Sequence, residues 1–160
     1  QFGTFSLTSQ NETDPWVGLI SKNGDWEWVK SIRTNAWSEA FAITVDQKNN
    51  IYISGFVYGS PSIGNTQVGG SGWYDAFLAS LDSEGNWRWA TSLGSSSGDF
   101  GSNVRVNKSG DILWYGDFRN TATCQGVTVT SQGGGDVNGK GDLFSAVLSS
   151  IDGSLKHLNA

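Results

Sequence analysis

The motif Gly-x-Trp-x-Trp occurs twice in this chain, starting at Gly24 and again 61 residues later at Gly85. A shift of 61 aligns residues 2–57 with residues 63–118 without a gap, so the whole segment is repeated and not the motif alone. A third copy starts at Cys124 and takes six extra residues before Asp142. Self-similarity at a fixed period is typical of repeat architectures, in which each unit completes its core against its neighbours.

Each unit is predicted to contain four short antiparallel strands. The segments "AFAITV" and "NIYISGFV" flank the turn "DQKN", and "DAFLASL" and "NWRWATSL" flank the turn "DSEG". Asp, Asn, Ser and Gly suit hairpin loops because they tolerate the backbone angles that tight turns require. No stretch shows a useful helical periodicity, so the sequence predicts an all-β chain.

The strands carry apolar side chains on both faces. Ile51 and Ile53 lie on one face of their strand, and Tyr52 and Phe56 on the other, because successive side chains of a strand point in opposite directions. A sheet with water on one side would not show this pattern, whereas a sheet packed between two neighbouring sheets would. The predicted fold is therefore a set of β-propeller repeats, each a four-stranded antiparallel blade.

The strand count predicts about two and a half blades in one continuous repeat domain. Residues 1–36 are expected to form a half-blade, the last two strands of a repeat, and residues 37–97 a full blade; residues 98–160 form another, with an insertion at 132–141. Propellers typically need 4–8 blades to close. Because open edges and bare apolar faces favour association, we expect a segment of a larger propeller, or a subunit that assembles with copies or partners.

The two tryptophans of each motif are two residues apart and are predicted to share one strand face. Their rings would then fill the space between neighbouring blades. The residue between them would point to solvent from an outer strand. The two sets are Trp26, Glu27 and Trp28, and Trp87, Arg88 and Trp89.

The pattern "DAFLASLDSEGNWRWATSLG", together with "AFAITVDQKNNIYISGFVYG" from the other copy, resembles the bacterial-type SBBP β-propeller repeat. In that family an Asp-x-Phe strand precedes Gly-Asn-x-x-Trp, and a Val-Asp-x-x-x-Asn-x-Tyr-x-x-Gly hairpin follows. The resemblance covers nearly the whole chain and implies a propeller fold, but no particular activity. The chain departs from the pattern at Leu155-Lys-His157, where the third Trp-x-Trp would stand, and in the insertion "QGGGDVNGKG".

Several function classes are disfavoured by composition and motifs. The net charge of −5 argues against a nucleic-acid surface, and no apolar run approaches the roughly 20 residues of a membrane helix. "GSSSG" at Gly94 matches the hydrolase elbow but lies between predicted strands, and "GGDVNGKG" at Gly134 lacks both the Ser or Thr and the helix of a phosphate-binding loop. We therefore expect no catalytic residues and no cofactor.

Residues that break the repeat are the better candidates for binding. Trp37 and Trp73 lie in predicted loops, Tyr74 follows Trp73, and Trp37 aligns with Gly98 of the next unit. An exposed tryptophan offers a flat apolar face to a sugar ring or to a side chain of a partner. Packing at the blade edge is the alternative interpretation for all three aromatic residues.

The sequence also contains two further kinds of candidate site. The sequons at Asn11 and Asn107 fall in predicted loops, where glycosylation is possible in a secreted protein. Asp136, Asn138 and Asp142 alternate in the manner of a calcium loop, although Asp142 is also the third copy of a recurring strand-entry aspartate. A side-chain-to-backbone hydrogen bond is the simpler role of that aspartate.

These observations favour a non-enzymatic, extracellular or cell-surface β-propeller module with a structural or protein-interaction role. Its expected partners are other blades of the same parent chain or protein subunits, with no nucleic acid and no membrane span. A lectin-like propeller that binds glycans through its loop aromatics is the first alternative. A non-catalytic part of a larger propeller enzyme is the second.

Overall fold

A computed structural model of the chain describes residues 2–9, 13–34, 36–133 and 141–160. All regular structure within these ranges is β-strand, fourteen strands in small antiparallel sheets and no helix. The described chain thus offers no helix that could span a membrane. The all-β prediction is confirmed.

The strands form part of one blade and two complete blades. The first contains β1 (Trp16–Ile20) and β2 (Trp26–Ser31). The second contains β3 (Glu39–Val45) and β4 (Ile51–Tyr58), a small hairpin of β5 (Ser62–Ile63) and β6 (Thr66–Gln67), and then β7 (Tyr74–Leu81) and β8 (Trp87–Leu93). The third contains β9 (Phe100–Val106) and β10 (Ile112–Phe118), a hairpin of β11 (Thr121–Cys124) and β12 (Val127–Thr130), and then β13 (Asp142–Leu148) and β14 (Leu155–Asn159).

Each complete blade is a four-stranded antiparallel meander. The strand orders are β3-β4-β7-β8 and β9-β10-β13-β14. The small hairpins are extra elements that the sequence did not predict. They lie between the second and third strands of a blade, and Thr123 of β11 exchanges backbone hydrogen bonds with Gly94 at the end of β8.

The core consists of two apolar layers, one on each side of the second blade. Ile51 and Ile53 of β4 face the first blade, whereas Tyr52 between them faces the third blade. Val17 and Trp28 complete the first layer from β1 and β2, and the second layer is completed from the third blade. The second blade is thus sandwiched, as its two apolar faces predicted, and the blade architecture is confirmed.

The two tryptophans of each motif point to opposite faces, so the predicted shared face was wrong. In the pairing of β7 with β8, Ser80 opposes Trp89 and Leu81 opposes Trp87, which leaves Arg88 as the extra residue of a β-bulge. The pairing of β1 with β2 shifts in the same way at Glu27. A bulge reverses the alternation of side chains because it adds one residue to one strand.

The second tryptophan of each motif joins its blade to the next one. The Trp28 indole N–H donates to the carbonyl of Ser83 at 3.0 Å. A Cβ at Gly85 would lie 2.7 Å from the Trp28 ring, so glycine is needed for this close approach. Trp89 repeats the contact one blade later through the carbonyl of Ser150, at 3.3 Å.

Arg88 does not point to solvent as predicted. It is half-buried and faces the third blade, where it donates to the carbonyl oxygen of Ile151 at 3.3 Å. It also donates to the Ser80 hydroxyl at 2.9 Å. The bulge is the physical reason, because it turns the side chain of its extra residue away from the regular alternation.

Candidate functional site

Aromatic side chains gather where β3 and β9 begin, β4 ends and β7 begins. Each ring contacts at least one other, with centroids 5.1–6.2 Å apart, a spacing typical of favourable aromatic pairs. We call this group the aromatic cluster; its members are Trp37, Phe41, Phe56, Tyr58, Tyr74 and Phe100.

The structure brings two of the three predicted binding residues into direct contact. The rings of Trp37 and Tyr74 lie 6.2 Å apart, edge to face. Trp37 is 45% exposed, and its indole N–H donates to the carboxylate of Glu39 at 2.8 Å. Trp37 thus has packed neighbours on one side and an accessible surface on the other, so its packing and binding roles are compatible.

The third predicted residue, Trp73, lines a cavity of about 250 Å³ next to the aromatic cluster. Trp73 is 63% exposed; Tyr74, Phe100, Arg119 and residues 96–98 complete the walls. The Arg119 guanidinium lies 5.9 Å from the Phe100 ring centre and donates to the carbonyl of Gly98 at 2.8 Å. The cavity suits one ring or one side chain, because it is smaller than most ligand pockets.

Sequence reasoning missed Phe100 and Arg119 because they belong to the next repeat unit. A usable signal was present in the alignment of Trp37 with Gly98. Where one unit places a large ring, the next has no side chain at all. Gly98 lies in the wall of the cavity, so the missing side chain leaves space there.

Two buried carboxylates, Asp75 and Asp99, are chain neighbours of residues that line this cavity. Asp75 accepts a hydrogen bond from the backbone N–H of Ser71 at 3.1 Å through Oδ2, while its Oδ1 is buried without a hydrogen-bond partner. Asp99 accepts from the backbone N–H groups of Ser95 and Arg119. Burial raises the pKa of Asp75 to about 6, and the nearby charge of Asp99 acts in the same direction.

The repeat explains why Asp75 is left with an unpaired oxygen. At the matching position of the first unit, Asp14 accepts from both the backbone N–H and the hydroxyl of Thr34. Ser95 takes the place of Thr34 in the next unit, but it donates to Asp99 instead. Asp99 stands where the earlier unit has Ser38, so the unit contains one carboxylate more than the local hydrogen bonds can satisfy.

The first blade has an open inner edge. Among the described residues, β1 pairs with a strand on one side only. Ile43 and Val45 of β3 face this edge and are 56% and 53% exposed. At the matching positions of β9, Val104 is fully buried and Val106 partly buried against the second blade.

The structure describes only some of the residues of the remaining predicted sites. The Asn107 side-chain oxygen accepts from the backbone N–H groups of Ser109 and Asp111, at 2.8 and 2.9 Å, and so shapes its turn. Asn11, Asp136 and Asn138 lie outside the described residues. Glycosylation and the calcium alternative stay predictions.

Asp142, the third member of the calcium alternative, lies at the start of β13. Its carboxylate accepts a hydrogen bond from the backbone N–H of Gln132. Asp75 and Asp14 make bonds of the same kind, each with a backbone N–H. The side-chain-to-backbone role expected of this recurring aspartate is therefore present in all three units.

No protein-family model matches the chain. The chain is similar to the uncharacterized WD repeat-containing protein L264 of Acanthamoeba polyphaga mimivirus, with 23% identity over 121 residues. The match covers 64% of this chain but only 9% of that relative's length. It agrees with the β-propeller-like repeats of the structure.

Proposed function

We propose that this chain is a non-enzymatic, extracellular β-propeller module of the SBBP-repeat type that acts through protein–protein contacts within a larger propeller or assembly. The open edge of the first blade is the observation that carries this proposal. The SBBP assignment is supported by the quoted repeat motifs. The extracellular assignment is supported by the acidic charge balance and the Ser-, Asn- and Gly-rich turns.

The matched strands β3 and β9 give the physical reason. Val104 is buried because a complete neighbouring blade covers it, whereas Ile43 at the same repeat position is exposed, and the described part of the first blade contains one strand pair. Burying an aliphatic side chain contributes roughly 1.5–3 kcal/mol. An unpaired strand edge also presents backbone N–H and C=O groups to an incoming strand. Both features favour occupation of the edge by another chain segment.

The proposal predicts that the isolated chain self-associates through this edge. We expect a weight-average mass above 17.1 kDa that rises with protein concentration in sedimentation equilibrium. The double variant Ile43→Lys/Val45→Lys is expected to raise the dissociation constant at least about tenfold, because two ammonium groups would be buried without partners.

Val127→Lys is the matched control. Val127 is also an exposed valine, but it lies on the small hairpin of the third blade and away from the open edge. We expect Val127→Lys to leave the dissociation constant within about twofold of the original. A chain that stays at 17.1 kDa at every concentration would contradict the proposal, as would equal weakening by the control.

A lectin-like role is the second candidate, favoured by the cavity that joins Trp73 and Tyr74. Aromatic faces stack against the apolar face of a sugar ring, and the Ser96 and Ser97 side chains in the wall offer hydroxyl groups. We expect neutral monosaccharides to quench tryptophan fluorescence in a saturable way. Trp73→Ala should lower the affinity for the sugar at least about tenfold, since it removes the most exposed aromatic side chain of the cavity wall.

Trp16→Ala is the control for quenching at an unrelated exposed tryptophan. Trp16 is also about half exposed, but it packs against Phe2 on the first blade. Loss of quenching in Trp73→Ala with retention in Trp16→Ala would support the lectin-like role. Absence of saturable quenching with the unmodified chain would exclude neutral monosaccharides as ligands of this cavity.

A further inference from the structure

A second and larger cavity opens at the other end of the blades, where β3 meets β4 and β9 meets β10. Its volume is about 580 Å³, within the usual size of small-molecule sites. Most of its wall comes from two hairpin turns, residues 45–48 and Asn50 of the second blade and residues 106–110 of the third. Arg88 and residues 150–151 close the remaining side. We call this cavity the turn cleft.

The turn cleft is positively charged although the chain as a whole is negative. Lys48, Arg88 and Lys108 line it against a single acidic residue, Asp46, in a chain of net charge −5. Within the part of the chain that is described, neither lysine is in a salt bridge. Positive charge concentrated in a concave, low-dielectric wall attracts anions.

Asp46 is hydrogen-bonded within its own turn, and its single negative charge offsets only one of the three cations of the cleft. One carboxylate oxygen accepts from the backbone N–H groups of Lys48 and Asn50, at 2.8 and 2.9 Å. The other accepts from the Asn50 side-chain amide and from the Tyr52 hydroxyl. These hydrogen bonds hold the pKa of Asp46 below its usual value although partial burial opposes them.

Arg88 is the fixed cation of the turn cleft. Its guanidinium donates to Ser80, to the Ile151 carbonyl and, at 3.5 Å, to the Tyr52 hydroxyl. A guanidinium has five N–H groups, so two stay available for a ligand. The matching bulge residue of the first blade is Glu27, so the repeat does not require a cation at this position.

The same cleft has apolar walls. Val106 lies at the end of β9, and Ile151, 81% exposed, lies beside the Arg88 guanidinium. We propose that the turn cleft binds a small organic anion, with an oxyanion group held by Arg88 and the two lysines and an apolar body against the aliphatic side chains. Phosphate and carboxylate share the chemistry that this site recognises.

The test is a titration of the isotope-labelled chain by NMR, with 1-naphthyl phosphate and 1-naphthoate as probes. We expect saturable shifts of the backbone amides of residues 45–50 and 106–110, weakened by added salt. Arg88→Gln should raise the dissociation constant at least about tenfold. Lys48→Gln and Lys108→Gln should each raise it about threefold or more. The tighter probe identifies the preferred oxyanion.

Lys22→Gln is the control for net charge, because Lys22 lies in the β1–β2 turn outside the cleft wall. We expect it to leave the affinity unchanged within about twofold. The proposal is overturned if neither probe gives saturable shifts, if neutral 1-naphthol binds as tightly, or if Lys22→Gln weakens binding as much as the cleft variants. The lysine variants keep the test decisive should Arg88→Gln unfold the chain.

Discussion

Replacing Trp114 by alanine is expected to lower the free energy of unfolding of the chain by about 3–5 kcal/mol. Trp114 is fully buried in the apolar layer between the second and third blades, with its ring 4.9 Å from that of Phe144. Its indole N–H donates at 2.7 Å to the Ser54 hydroxyl, across the two blades. The substitution removes apolar contacts and an interblade hydrogen bond, and it leaves a cavity.

The measurement is urea unfolding of both proteins, followed by circular dichroism. Because whole domains are stable by only about 5–15 kcal/mol, a loss of this size shifts the unfolding midpoint substantially. Trp73→Ala makes the same chemical change at an exposed site and should cost less than about 1 kcal/mol. Similar losses of unfolding free energy in Trp114→Ala and Trp73→Ala would show that the interblade layer does not determine the stability of the fold.

Asp75 is expected to make the chain less stable as the pH rises from 4 to 7, by about 3 kcal/mol. Its pKa in the folded chain is about 6, against an ordinary value of 3.8, so the folded state holds the proton more tightly than the unfolded state. The difference of about 2 pH units corresponds to about 3 kcal/mol. This stabilisation is complete below pH 4 and is lost as the pH rises through 6.

Asp75→Asn tests this expectation because it removes the titration and keeps the shape. The free energy of unfolding, measured across this pH range, should fall by about 3 kcal/mol less in the variant than in the original chain. Asp14→Asn is the matched control, since Asp14 has the same repeat position but two donors from Thr34. Parallel pH profiles for the original chain and Asp75→Asn would contradict the inferred burial of the charge.

The repeat made the blade architecture predictable, because one unit of four strands with two apolar faces has few ways to pack. The faces of β4 are an example, since Ile51 and Tyr52 enter different layers as their alternation predicted. The bulge at Arg88 was not predictable in this way. It depends on the register between β7 and β8, and a Trp-x-Trp spacing looks regular until the partner strand is known.

The sequence singled out some of the residues that line the candidate site, but not how they meet. Trp37 stood out because it interrupts the repeat and Tyr74 because it follows Trp73, but their contact depends on the connection between blades. The unpaired Asp75 oxygen could not be predicted without knowing that Ser95 donates its hydrogen bonds to Asp99. That competition is visible only when the side chains of two consecutive units are placed together.

The bulge gives each of the three blades one position whose residue differs from unit to unit. It holds Glu27, then Arg88, then Lys156, while the tryptophan that follows it in the first two blades carries a contact between blades. Lys156 uses the position for an ion pair with Asp111, and Arg88 for the wall of a cleft. A protein built by duplication of this unit can therefore change the charge at one defined point of each blade by a single substitution.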